Sequence, residues 1–243
     1  MDWHARYTTQ AAWTRDLRLY LFRSAGLSSA QRVLEVGCGT GAILSEVSSR
    51  AVLHGLDIDL AALEACGMHA PAVLRTCADA LDLPYPRAVF DIVFCHFLLL
   101  WVGDPLRAVS EMKRVVRPDG HVLALAEPDY TARVDRPAIL EPLGRWQAGS
   151  LRQQGADPAF GARLAETFFQ AGLKLVETGT IQTRGKEKLS PAQRESEWAV
   201  LKSDLAGYIP PGDLQRMKAL DEAAWLRGER TLHVPTYFAW GKV

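Results

Sequence analysis

Arg32-Val-Leu-Glu-Val36 runs without a break into Gly37-Cys-Gly-Thr-Gly41, and this junction decides the fold. The first five residues read as a short buried strand. Three glycines in the next five positions give a tight turn whose backbone a ligand can approach closely. Ala42 to Ser49 reads as a helix after the turn, whose first N–H groups are free to meet that ligand. A second apolar run, Ala51 to Leu56, ends at Asp57, 20 residues beyond Gly37. At that spacing a carboxylate can accept hydrogen bonds from ribose hydroxyls.

The same alternation extends on both sides. Thr9 to Ala25 reads as one amphipathic helix, with Trp13, Leu17, Tyr20, Leu21 and Ser24 on one face and Arg15 and Arg18 on another. Downstream come a helix at Leu60–Cys66, strands at Ala72–Cys77 and Phe90–Cys95, and a helix at Pro105–Val116. The turn signal Arg117-Pro-Asp-Gly120 precedes a fifth strand at His121–Ala126. Residues 137–171 read as helical with a break at Gly155-Ala-Asp-Pro158. A sixth strand at Leu173–Ile181, two helices within 190–227 split by Pro210-Pro-Gly212, and a last strand at His233–Val243 complete the chain. The expected class is α/β: a doubly wound, Rossmann-like, seven-stranded, mostly parallel sheet with helices on both faces. Residues 1–30 are expected to form a helical cap. Residues 31–243 are expected to be one domain, with a cofactor-binding core at about 31–128 and covering helices and last strands at about 129–243.

Composition excludes several functions. Of 243 residues, 48% are hydrophobic and 23% charged, which is ordinary for a globular chain. Lys+Arg and Asp+Glu both number 28, so no global field favours a nucleic acid or an anionic membrane, and neither partner is expected. The longest nearly apolar run, Val93 to Val102, falls short of the ~20 residues that span a bilayer. The four cysteines, Cys38, Cys66, Cys77 and Cys95, form no C-x-x-C pair and read as reduced thiols of a cytoplasmic protein. Met1-Asp-Trp-His-Ala-Arg-Tyr7 has no apolar core of a secretory signal. Cys66-x-x-His69 has no second pair in range, so no metal is expected.

In an open parallel sheet, ligands bind at the carboxyl ends of the strands. Those ends carry the glycine loop, Asp57, Asp79 within Ala78-Asp-Ala80, Cys95-His96, and Glu127-Pro-Asp-Tyr130. The loop alone is ambiguous, because Gly37-x-Gly39-x-x-Ala42 also fits a dinucleotide fingerprint. Glu35 two residues before the first glycine, and Asp79 followed by Leu81-Asp-Leu-Pro84, favour a mononucleoside site. No Tyr-x-x-x-Lys pair exists.

Val33-Leu-Glu-Val-Gly-Cys-Gly-Thr-Gly41 resembles the first motif of the class I S-adenosylmethionine-dependent methyltransferases. Gly55-Leu-Asp-Ile-Asp59 is similar to their second motif, Asp79-Ala80 with Leu83-Pro84 to the adenine segment, and Phe90-Asp-Ile-Val-Phe94 and Arg117-Pro-Asp-Gly120 to the later ones. The resemblance covers about Arg32 to Ala126, is nearest the small-molecule branch called type 11, and returns at Tyr237-Phe-Ala-Trp-Gly241. It implies transfer of a methyl group from S-adenosyl-L-methionine, released as S-adenosyl-L-homocysteine, to an O, N, S or C atom of a small acceptor. It implies that Gly37, Gly39 and Gly41 approach the methionine and ribose parts, that Asp57 takes the ribose hydroxyls, and that Asp79 and Ala80 take the adenine. Glu35, Cys38, Ile58 and Cys95 complete the expected cofactor set.

The chain departs from parts of the wider family. Leu99-Leu100-Trp101 lacks the His that many relatives carry there. Cys95-His96-Phe97 replaces the Asn/Asp-Pro-Pro-Tyr/Phe motif of nucleobase and glutamine methylation, and His96 replaces the Asp of the metal-dependent catechol type. His96 is a candidate proton acceptor beside the methyl group. Tyr130 is a second candidate catalytic residue and, with Glu127, is expected on the acceptor side. Trp146 is a candidate roof, whereas Trp101, Trp198, Trp225 and Trp240 read as packing. Arg15 or Arg18 is expected to pair with the methionine carboxylate from an N-terminal lid, while Tyr7 and Trp13 close over the acceptor. Zero net charge and an aromatic cover favour an uncharged acceptor. A monomer or homodimer is expected. The alternatives are an NAD(P)-dependent oxidoreductase and a non-catalytic protein that binds S-adenosylmethionine.

Overall fold

A computed structural model describes residues 3–181 and 190–243. In chain order the elements are α1 (Trp3–Trp13), α2 (Arg15–Ser24), β1 (Arg32–Val36), β2 (Val52–Asp57), α3 (Leu60–His69), β3 (Leu74–Cys77), β4 (Phe90–Cys95), α4 (Pro105–Val115) and β5 (Val116–Pro128). They continue with β6 (Val134–Arg136), α5 (Glu141–Gln153), α6 (Leu164–Gln170), β7 (Lys174–Ile181), α7 (Pro191–Asp204), α8 (Pro211–Leu226), β8 (Thr231–His233) and β9 (Thr236–Lys242).

Seven strands form one sheet in the order β3-β2-β1-β4-β5-β9-β7. β3, β2, β1, β4 and β5 pair in parallel, while β9 runs antiparallel to both β5 and β7. Strand order reverses between β1 and β4, which places the ligand crevice at their carboxyl ends. All six residues of β4 are buried, as a central strand covered on both faces requires. Alternate residues feed two cores: Leu34, Val93 and Met112 lie in one, and Val33, Ile92, Phe94 and Phe22 in the other. A third, smaller core joins α5, α7 and α8 through Leu143, Trp198, Leu201 and Met217. The ribbon of β6 and β8 ties this cover to the sheet region.

The structure departs from the sequence expectations at three places. The single N-terminal helix is two, interrupted at Thr14. There the Thr14 hydroxyl bonds Ala11 O at 3.1 Å, and Arg18 Nη1 also donates to Ala11 O and, at 2.7 Å, to Thr14 Oγ1. Side chains thus compete for backbone groups that would continue the helix. The buried face is Ala11, Thr14, Arg18, Leu21 and Phe22, whereas Trp13 and Tyr20 are 42% and 49% exposed. The helix expected after the glycine loop is one 3-10 turn, Leu44–Glu46. Ser45, Ser48 and Ser49 are poor helix residues, and the Ser45 hydroxyl turns back to Ala42 O at 3.0 Å. The final strand is split into β8 and β9 by Val234-Pro235, because proline supplies no N–H to a ladder.

Candidate active site

The glycine loop is held by its neighbours before any ligand is considered. Gly37 N and Cys38 N both donate to Leu56 O, at 2.8 and 3.0 Å. Asp57 Oδ2 accepts Gly39 N–H at 2.7 Å, and Oδ1 accepts Asp59 N–H at 2.9 Å. Each carboxylate oxygen keeps a further lone pair for a ligand hydroxyl. At Gly41, φ is +77° and a Cβ would lie 2.7 Å from Cys66 Sγ, so only glycine fits between the loop and α3. Because one 3-10 turn follows, no helix N-terminus faces the crevice here, contrary to the expectation from sequence.

Around the loop, Ile58 is 71% exposed beside Asp57, an apolar surface open to a flat base. Asp79 is exposed and its Oδ1 accepts Leu81 N–H at 2.9 Å, which fixes the turn, while Ala80 is buried. Glu35 is buried, and its Oε2 is without a hydrogen-bond partner among the described residues. Burial, with the Cys66 thiol beside it, pushes the Glu35 carboxyl well above the usual carboxylate range against the pull of Arg18. Cys38 Sγ donates to Gly39 O at 3.8 Å, and the neighbouring Cys66 thiol together with burial raises the Cys38 thiol. Cys95 is fully buried in the sheet, 3.9 Å from Glu127 Oε1, and burial pushes its thiol up.

α1 lies across the loop. His4 Nδ1 is 2.9 Å from Thr40 Oγ1, and its ring stacks on His69 with centroids 3.3 Å apart. The Tyr7 ring sits 3.4 Å from where a Gly39 Cβ would be, and burial followed by Asp57 and Asp59 raises its phenol. Arg15, expected to meet the cofactor carboxylate, is exposed and makes no hydrogen bond or ion pair among the described residues. Arg18 is the buried one, and its guanidinium is committed to Thr14, Ala11 O and, at 2.6 Å, Glu46. Helical spacing put both arginines on one face, but the break at Thr14 and the acid at Glu46 select Arg18 for the interior.

His96 Nε2 is 3.1 Å from Thr14 Oγ1. Burial, then the Arg18 charge, hold its imidazole down to about 3, so it is neutral at pH 7. Glu127 has no exposure and does not face the acceptor. Its carboxylate accepts Leu98, Leu99 and Leu100 N–H at 3.0, 3.1 and 3.3 Å, clamping the segment after β4, and burial pushes it up to about 7.

Beyond the ends of β4 and β5, past Phe97 and Pro128, opens a cavity of about 750 Å3 counted to its mouth. Tyr130, Trp13, Trp198 and Trp225 line it. Trp198 and Trp225 therefore wall the cavity rather than only packing, and Trp146 lies in the cover's core instead. Burial keeps the Tyr130 phenol protonated well past its usual range, with Asp204 and Glu197 adding to the effect. The cavity also receives Arg6, Arg133, Arg194 and Arg230. These come from α1, the segment before β6, α7 and the segment before β8, so no local spacing in the sequence signals them. Arg133 and Arg230 both donate to buried Asp135, at 2.8 and 2.6 Å, and Arg230 also reaches Asp221. Trp198 Nε1 donates to Asp221 at 2.7 Å.

The described residues include no group of three or more His, Cys, Asp or Glu side chains placed to hold a metal, and no helix long and apolar enough to cross a membrane. The site suits a nucleoside. Asp57 can take a diol, Ile58 offers a surface to a base, and Glu35 offers a buried carboxyl oxygen, unpartnered among the described residues, to a donor.

Residues 34–124 match the sequence profile of a methyltransferase domain, type 11. The demethylmenaquinone methyltransferase of Renibacterium salmoninarum is 31% identical over 156 residues, covering 63% of this chain and 65% of the relative. The ubiquinone biosynthesis O-methyltransferase of Alkalilimnicola ehrlichii is 36% identical over 116 residues, covering 44% and 46%. The matches to the first relatives span from 34% to 65% of their lengths. Among solved structures, the cyclase SpnF superposes with a TM-score of 0.62 at 22% identity, covering 96% of this chain and 81% of that one, a likeness of fold. Strand order, glycine loop, the acid at Asp57 and the profile agree, and residues 34–124 are a methyltransferase domain of type 11.

Proposed function

We propose that the chain moves a methyl group from S-adenosylmethionine to a small molecule held in the cavity beside Tyr130. The observation that carries this is the position of α1. His4 and Tyr7 touch the glycine loop while Arg6, Gln10 and Trp13 line the cavity, so one helix roofs both compartments. The cofactor, when bound, supplies a methyl group already activated on a positive sulfur. What the chain must add is alignment and exclusion of water.

Asp57 holds the ribose hydroxyls, and Asp79, Ala80 and Ile58 hold the adenine. Gly37, Cys38, Gly39 and Gly41 admit the ligand close to the backbone, and Glu35 supports the loop from the end of β1. Tyr130 stays protonated, so it orients the acceptor by donating a hydrogen bond rather than by removing a proton. His96 is neutral and bonded to Thr14 at the α1–α2 break, which suits positioning of the roof. Residues 1–30 act as the lid and residues 31–243 as the catalytic domain.

The test is mass spectrometry of small molecules released from the purified protein, with calorimetric titration of S-adenosylhomocysteine. Copurified S-adenosylhomocysteine, or micromolar binding of it, is expected. Binding of a nicotinamide dinucleotide in its place would overturn the proposal.

A further inference from the structure

We propose that the acceptor carries an anionic group, a carboxylate or a phosphate, on a flat apolar body, and that Arg194 receives it. The proposal rests on assigning this cavity to the acceptor. Of the four guanidinium groups at the cavity, three are matched. Arg6 donates to Glu197 at 3.1 Å. Arg133 holds Asp135 at 2.8 Å and Gln147 at 2.6 Å. Arg230 holds Asp135 at 2.6 Å and also Asp221. Arg194, in the first turns of α7, pairs with no carboxylate among the described residues, and its Nε is buried without a hydrogen-bond acceptor.

The Arg194 guanidinium lies 5.7 Å from the centre of the Trp225 ring. Such a cation–π contact occupies the cation without consuming an N–H donor in a hydrogen bond. The N–H edge stays available, in the planar fork that matches two oxygens of a carboxylate or phosphate. An oxygen at Nε would satisfy a donor that folding has taken out of water. The nearby acids do not compete for Arg194. Glu197 and Asp221 already hold arginines, and Asp204, which accepts from Gln147 at 2.7 Å, is pushed by burial toward its neutral form. An entering anion therefore meets four guanidinium groups in the lining, of which Arg194 alone has no carboxylate partner among the described residues. Trp13, Tyr130, Trp198 and Trp225 provide flat apolar walls. The uncharged acceptor expected from the chain's zero net charge is thereby revised, because a sum over 243 residues says nothing about one pocket.

The test compares acids with their neutral counterparts, on the full chain, with and without S-adenosylhomocysteine. The probes are phenylacetate against phenylacetamide, cinnamate against cinnamamide, and phenyl phosphate against phenol. Binding is read by calorimetry and by quenching of tryptophan fluorescence. At least one acid should bind about tenfold tighter than its neutral partner, as a charge-assisted pair implies. The Arg194→Ala variant should reduce that preference to less than about threefold, while Arg194→Lys should keep part of it. Should Arg194→Ala fail to fold by circular dichroism, Arg194→Gln takes its place. A wild type that prefers no acid, or a variant that keeps the whole preference, overturns the proposal. The carboxylate and phosphate pairs separate the two sources of the anion. Loss of S-adenosylhomocysteine binding would defeat the methyl-transfer assignment alone, since the acid preference is also measured without it.

Discussion

Asp57 holds the loop and, in the function proposed above, the ribose as well. Its two oxygens already hold Gly39 and Asp59 N–H groups, so truncation both removes an acceptor and loosens the turn. Asp57→Ala should weaken S-adenosylhomocysteine binding by roughly 1.5–3 kcal/mol, the range for hydrogen bonds to a charged group. Calorimetry on the folded variant checks this, and unchanged affinity would remove Asp57 from the site. His96 and Glu127 make opposite contributions to stability against pH. The His96 imidazole is held down to about 3, so between that value and about 6.5 the unfolded chain binds the extra proton and stability rises with pH. Glu127 is pushed up to about 7, so between about 4.5 and that value the native chain binds the extra proton and stability falls with pH. His96→Asn removes the first contribution. Relative to the variant, the wild type should gain about 1.4 kcal/mol per pH unit from pH ~4.5 to ~6 and level off above ~6.5. Urea unfolding at stepped pH measures the difference, and parallel curves would show that His96 titrates normally. At this scale the place of Asp57 beside the glycine loop was readable because 20 residues of strand, turn and strand leave it little freedom. The role of Glu127 was not, because an acid closing an apolar strand looks the same whether it meets a substrate or three backbone N–H groups.

α1 is the element that the proposed function makes a lid. It docks on the loop through His4, Tyr7 and the His69 stack, and on the cover through Arg6 and Glu197. Lids are drawn from the weakly held parts of a fold. Limited proteolysis should therefore cut within Trp3–Trp13 first, and S-adenosylhomocysteine should slow that cut several-fold. Equal rates with and without ligand would make α1 a fixed part of the core. The strands β1, β2 and β4 were readable because each is short and apolar and ends at a glycine, an acid or a histidine, whereas β5 begins at Val116 and takes in the turn expected at Arg117–Gly120. The break between α1 and α2 was hidden because it lies in how the Thr14 and Arg18 side chains share Ala11 O, which apolar spacing does not register. The turn after Gly41 was read as a helix because Ala42-Ile-Leu44 has the apolar spacing, while the serines that end it act through their own hydroxyls.

The molecule as a whole joins a parallel sheet to a helical cover through buried charge. Arg230, 2% exposed in its side chain, faces Asp135 and Asp221, at 1% and 4%. Removing the cation leaves, among the described residues, Asp135 with Arg133 alone and buried Asp221 with only the Trp198 N–H, and breaking a buried pair in this way costs about 3–5 kcal/mol. Arg230→Ala should speed hydrogen exchange in α8, β6 and β8, while β1, β4 and β5 stay protected. Uniform loss of protection would show that cover and sheet unfold as one unit. The place of β9 has a consequence for how a new chain becomes this molecule. β9 lies between β5 and β7 in the sheet, yet follows β7 in the chain. β7 is therefore synthesised before the strand it must pair with exists, and waits without a hydrogen-bonding neighbour. Over the same interval the outer edge of β5 stands open, with Val122 to Ala126 all buried in the finished fold. An unpaired apolar edge is a template for other chains. Self-association during synthesis is thus a hazard set by topology, and it ends only when residues 236–242 dock and close both ladders together.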